Sequence, residues 1–177
     1  MVLRHGYVAA ERYWQGWTPQ TSERIFSTTK SITATLVGMA IEDGHLAGVE
    51  QSAADFVPAW RDTPKAAITL RHLLSMTSGL GFARERSVLM PAGVDAQARM
   101  AEAPLEHPPG TRWVYHTPAY RMLARIVEDA VGEPLADYQA RRLFGPAGMN
   151  HTAWDTLPAP NGRTNYLFMR SSVPDMA

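Results

Sequence analysis

A chain of 177 residues with no cysteine and 17 basic against 17 acidic side chains fits one domain, or two only if both are small. Its content of 45% hydrophobic and 19% charged residues excludes disorder and supplies a core. The lack of cysteine excludes a disulfide scaffold, a thiolate zinc site and a cysteine nucleophile; balanced charge gives no electrostatic case for nucleic acid; and no window approaches the ~20 apolar residues of a membrane span.

In chain order, Val2-Leu3-Arg4 and Tyr7 to Ala10 flank His5-Gly6 and predict a hairpin, continued as an extended pattern to Trp14. Met1 to His5 lacks the basic-then-apolar stretch of a signal peptide, which makes the cytoplasm the default expectation. After a turn at Thr18 to Thr21 the period becomes helical from about Ser27 to Asp43, with Ile32, Leu36, Met39 and Ala40 on one face and Gly44 as stop. A short helix follows from Ser52 to Val57, and Thr69 caps a brief one carrying Leu70, Leu73 and Leu74. Residues 81 to 110 read as irregular apart from a modest helix from Val94 to Glu102, and Arg112 to Tyr115 as short and extended. Thr117-Pro118, read as cap and first position, opens the clearest helix, with Met122, Leu123, Ile126 and Val127 on its apolar face and a stop at Gly132. Another starts at Pro134 and stops at Gly145. The chain beyond Asn150 reads as loop, so the expected class is α+β with the hairpin as the whole of an incomplete antiparallel sheet.

Only two of the basic residues, Lys30 and Lys65, are lysines. Where a positive charge alone is needed this chain uses arginine, so Lys30 stands out in Ser27-Thr28-Thr29-Lys30. Residues three apart on a helix share a face, which sets an amine beside a hydroxyl. A helix N-terminus favours a developing oxyanion there, and a neighbouring amine can take the serine proton. By spacing alone, an N-cap serine followed by an exposed lysine accounts for the same four residues. Other chemistries lack support: there is no G-x-S-x-G elbow, and the six histidines include no i, i+4 pair.

The stretch Arg24 to Thr33 (RIFSTTKSIT) resembles the nucleophile segment of the serine β-lactamase-like hydrolases, the branch of class C β-lactamases, D-alanyl-D-alanine peptidases, carboxylesterases and aminohexanoate-oligomer hydrolases. Ile68 to Leu80 (ITLRHLLSMTSGL), Pro109 to Tyr115 (PGTRWVY), and Tyr120 to Gly132 with Leu143 to Met149 (LFGPAGM) resemble later segments of that family in the same order. The resemblance runs roughly from Gly6 to Thr152. It implies a penicillin-binding-protein-like fold and acyl transfer on an ester or amide, such as a β-lactam, a D-Ala peptide or a carboxylic ester, without metal or cofactor. Ser27 matches the nucleophile, Lys30 the lysine beside it, and Tyr115 the tyrosine of the family's Y-x-N motif. A tyrosine serves as a base only if positive neighbours lower its pKa from ~10. His116 and Thr117 complete that motif as weak candidates for substrate binding.

Two departures stand out. Thr117 replaces the asparagine whose amide meets the substrate carbonyl; a hydroxyl can still donate, with shorter reach. The third motif of the family, K-T-G or H-x-G on a later strand, has no match in these residues. The resemblance therefore implies a partial domain over residues 1–177, without the C-terminal strands and one of two oxyanion donors. From this follow expectations of impaired catalysis, of self-association through the exposed hairpin edge, and, as the rival reading, of a non-catalytic remnant serving as a packing module.

Overall fold

The computed structural model describes residues 1–81 and 94–177; the predicted irregularity of residues 82–93 lies outside them. The class is α+β. Strands β1 (Val2–Arg4) and β2 (Tyr7–Ala10) form the hairpin, antiparallel about His5-Gly6. Every residue of both strands is exposed. A lone two-stranded ribbon has little to hold it in water.

The expectation that no strand follows Asn150 is overturned. Strands β4 (Ala153–Pro158) and β5 (Thr164–Ser171) pair antiparallel, and β3 (Glu23–Arg24) adds to the other side of β5, giving the order β3-β5-β4. The strands escape a period-two reading for local reasons. Tyr166 to Met169 is a continuous apolar run, packed on α4 on one side and partly covered on the other. A bulge between Trp154 and Thr156 breaks alternation in β4. Asn161-Gly162, with Gly162 at φ +75°, lies in the turn that joins the two strands.

Helix α1 (Thr29–Glu42) follows a 3₁₀ turn at Phe26–Thr28. After it come α2 (Leu70–Leu74), α3 (Ala96–Glu102) and α4 (Thr117–Val131). Helix α5 (Leu135–Gln139) runs through a wide π turn at Ala140–Phe144 into α6 (Gly145–Ala147). The predicted Thr69 cap is present, its hydroxyl accepting from the His72 N–H while the His72 ring accepts from the Thr69 N–H. The cap of α4 is a correction. His116, not Thr117, holds that place: its Nδ1 accepts the Ala119 N–H at 3.1 Å, and Thr117 is the first helical residue. An imidazole nitrogen one residue earlier does the work that the Thr-Pro pattern assigns to a hydroxyl.

Helix α4 is the centre of the core and packs against α1, α2, α3, α5 and β5. Leu123, Ile126 and Val127 on it are fully buried, among Leu36, Trp60, Ile68, Leu73, Leu135, Tyr138 and Met169. Each such side chain contributes about 1.5–3 kcal/mol by leaving water. At the far end of α1, Asp43 accepts two hydrogen bonds from Arg142, at 2.7 and 2.8 Å, and one from the Tyr138 hydroxyl at 2.9 Å. The first and last thirds of the described chain are thus tied around α4. Among the described residues no helix is long and apolar enough to cross a membrane.

Candidate active site

The nucleophile segment is anchored to the sheet before it becomes helix. The Ile25 N–H donates to the Met169 carbonyl at 3.0 Å. Buried in the first turn of α1, Thr29 accepts the Met169 N–H on its Oγ1 at 2.9 Å. Between these two clamps lies Ser27. Phe26 makes the corner at φ +44°, a region costing about 1–3 kcal/mol for a residue with a side chain. Its ring meets Phe168 edge-on, with centroids 5.7 Å apart.

Tyr115 arrives from a different part of the chain. The segment before it is pinned to the loop after α2, Gly110 N–H donating to Thr77 O at 2.8 Å and Val114 N–H to Met76 O at 3.0 Å. That loop needs the glycine of its Ser78-Gly79-Leu80 run. Gly79 sits at φ +74°, and a Cβ there would lie 2.0 Å from the His107 carbonyl oxygen. Immediately after Tyr115, His116 starts α4. The phenol is therefore held by two elements whose positions the core fixes.

These anchors bring three predicted side chains together. Ser27 Oγ and Tyr115 Oη share a hydrogen bond of 2.7 Å, and Lys30 Nζ donates to Ser27 Oγ at 3.3 Å. Lys30 also lies over the Tyr115 ring, 5.0 Å from its centroid. Lys30 thus occupies one acceptor site of Oγ, and whenever Tyr115 is the phenolate the Ser27 hydroxyl donates to Oη, giving the order Lys30 to Ser27 to Tyr115. The phenol pKa is pulled below its usual value, chiefly by the hydrogen bond with Ser27, then by Lys30, against the opposing effect of burial. Both partners favour the phenolate.

The other two predicted residues divide. Thr117 is buried beside Tyr115 and also acts on its hydroxyl to favour the phenolate. His116 is placed as a helix cap rather than as a substrate contact. It is 2% exposed, Nδ1 is engaged by Ala119, and Nε2 lies 3.2 Å from the Gly81 carbonyl. Burial lowers its pKa, so the neutral ring that a cap requires is the favoured form.

Two positioning residues were not legible beforehand. Tyr120 donates its hydroxyl to the Lys30 carbonyl at 2.9 Å, fastening the first turn of α1 to α4. Thr29 fastens the same turn to β5. For Tyr120 the apolar face of α4 gave a hint; for Thr29, whose partner is 140 residues away, no local signal exists. Among the described residues no three His, Asp or Glu side chains gather as metal ligands.

Set against known proteins, residues 1–177 match the Beta-lactamase family model. The chain belongs to the beta-lactamase family. It is 31% identical to Esterase EstB of Burkholderia gladioli, over 98% of this chain and 52% of the esterase. It is also 31% identical to a D-aminopeptidase of Cereibacter sphaeroides, over 84% of this chain and 31% of that protein. Among solved structures it resembles D-alanine carboxypeptidase AmpC from Burkholderia cenocepacia, with TM-score 0.69 and 24% identity over 90% of this chain and 48% of that one. It also resembles the D-amino acid amidase from Ochrobactrum anthropi, with TM-score 0.70 and 24% identity over 90% of this chain and 54% of that one. The structural likeness shows the β-lactamase and penicillin-binding-protein fold, and the sequence likeness supports serine-hydrolase function at the level of the family. The chain spans about half, or less, of these relatives' own length.

Proposed function

We propose that this chain carries the acyl-transfer centre of a serine hydrolase acting on an ester or amide, with Ser27 as nucleophile. One observation carries the reading: a serine hydroxyl hydrogen-bonded at 2.7 Å to a phenol whose pKa is lowered, with the only nearby lysine on the same oxygen. Ser27 Oγ attacks the carbonyl carbon and its proton passes to Tyr115 Oη. The C=O electron pair moves to the oxygen. When the tetrahedral species collapses, the bond to the leaving oxygen or nitrogen breaks and that atom takes the proton from Tyr115. Tyr115 then takes a proton from water as the water oxygen attacks the acyl carbon; on collapse the bond to Ser27 Oγ breaks, Oγ takes that proton from Tyr115, and the carboxylic acid leaves. Lys30, against Oγ and over the Tyr115 ring, favours the phenolate. No cofactor is needed by this scheme. The names of the relatives, an esterase and a D-aminopeptidase, support small carboxylic esters and amides as the substrate class.

The Ser27 N–H, near the head of α1, serves as one oxyanion donor. By the family resemblance a second donor comes from the third motif, which residues 1–177 do not contain; a single oxyanion donor is worth ~10²–10³-fold in rate. First-turnover measurements therefore suit this chain better than steady-state ones. The test is a short-chain p-nitrophenyl ester with p-nitrophenol release followed over one enzyme equivalent. A stoichiometric burst that vanishes in Ser27→Ala supports the reading; equal release by both proteins overturns it.

A further inference from the structure

Phe26 combines three features that its fold does not require together. It is a bulky residue at φ +44°, where glycine would sit free of strain. It is 61% exposed, so core burial does not offset that strain. And it is the chain neighbour of Ser27, sharing with Lys30, Thr117, Tyr120 and Phe168 the lining of one crevice. A second exposed ring stands at the other partner of Ser27. Trp113, 64% exposed, meets the Tyr115 ring with centroids 6.4 Å apart. The candidate nucleophile is thus joined, through its chain neighbour and through its hydrogen-bond partner, to aromatic surfaces that the described chain leaves uncovered.

We infer that Phe26 and Trp113 form an apolar clamp for the acyl side of the substrate, so that the preferred class is an ester or amide whose carbonyl carries a flat, ring-sized apolar group. The inference rests on the proposed role of Ser27. The acyl side is chosen because it stays bonded to Ser27 Oγ and so remains among the neighbours of that atom, while the leaving group departs. A flat apolar group lying against Phe26 loses water from both surfaces and gains the edge or offset contacts that aromatic faces favour. An acetyl group offers only a methyl to such a contact.

The experiment compares first-turnover release of p-nitrophenol from p-nitrophenyl acetate and p-nitrophenyl phenylacetate, which share a leaving group. Phe26→Ala is expected to lower the phenylacetate rate about tenfold more than the acetate rate, the scale of losing one apolar pocket contact. Trp113→Ala should move the ratio in the same direction, and Phe26→Tyr should restore it. Tyr7→Ser, in the hairpin, is the control and should leave the ratio as it is. A burst whose ratio is the same within twofold in Phe26→Ala and in the native chain overturns the clamp and leaves the role of Ser27 standing. No burst from either ester in the native chain overturns both.

Discussion

Replacing Tyr115 by phenylalanine removes one oxygen atom and little else, which makes it the most informative single change. The ring keeps its place beside Trp113 and under Lys30. Because the side chain is 48% exposed, unfolding stability should move by no more than about 0.5 kcal/mol. What disappears is the acceptor 2.7 Å from Ser27 Oγ. A positioned proton acceptor contributes ~10²–10⁴-fold, equivalent to about 2.7–5.4 kcal/mol of barrier at 1.36 kcal/mol per tenfold. The first-turnover rate with a p-nitrophenyl ester should fall by that factor, with urea unfolding unchanged. The pH profile adds a second readout. With the phenol pKa lowered, the active phenolate grows as pH rises. The rate should climb to a plateau reached below the ~10 of an ordinary tyrosine and fall as the medium is acidified through the lowered pKa. In Tyr115→Phe that limb should be gone. A rate within threefold of the native chain, or an unchanged pH limb, would refute the assignment of the proton to Tyr115.

Lys30→Ala should slow acylation by ~10²–10⁴-fold in the same assay and shift the pH limb upward, because the phenolate loses its cation. Thr29→Val should cost about 1–3 kcal/mol in urea unfolding, since it leaves the buried Met169 N–H without an acceptor; an unchanged midpoint would mean that β5 is not held through Thr29. Sedimentation at rising concentration should show association through the hairpin, where Tyr7 is 78% and Val8 53% exposed. Tyr7→Ser with Val8→Ser should abolish it, and a concentration-independent monomer would remove that expectation.

The helical half of this fold was legible because its signals are local. Thr69 caps α2, Pro118 and Gly132 bracket α4, and the apolar stripe of α4 has a clean helical period. The Ser27–Lys30 pair was legible for the same reason, being one helical turn. Long-range features were not. The apolar run Tyr166 to Met169 within β5 does not alternate because one side packs on α4 and the other is partly covered, and β3 is only two residues long and gains meaning only from pairing with β5. The approach of Tyr115 to Ser27 spans 88 residues of sequence, and only the resemblance to a family suggested it. His116 shows the opposite failure. Next to a plausible hydroxyl cap, its ring had the better geometry for the Ala119 N–H, a choice that residue preferences do not decide.

The central claim is that Ser27 becomes acylated, and mass spectrometry tests it directly. The chain is incubated with a p-nitrophenyl ester or a penicillin, quenched in acid and weighed intact, then digested with trypsin. The account predicts a single adduct of the acyl mass, carried by the peptide Ile25 to Lys30 and absent from Ser27→Ala. An adduct on another peptide that persists in Ser27→Ala, or none from either reagent, would contradict it and favour a non-catalytic member of the family.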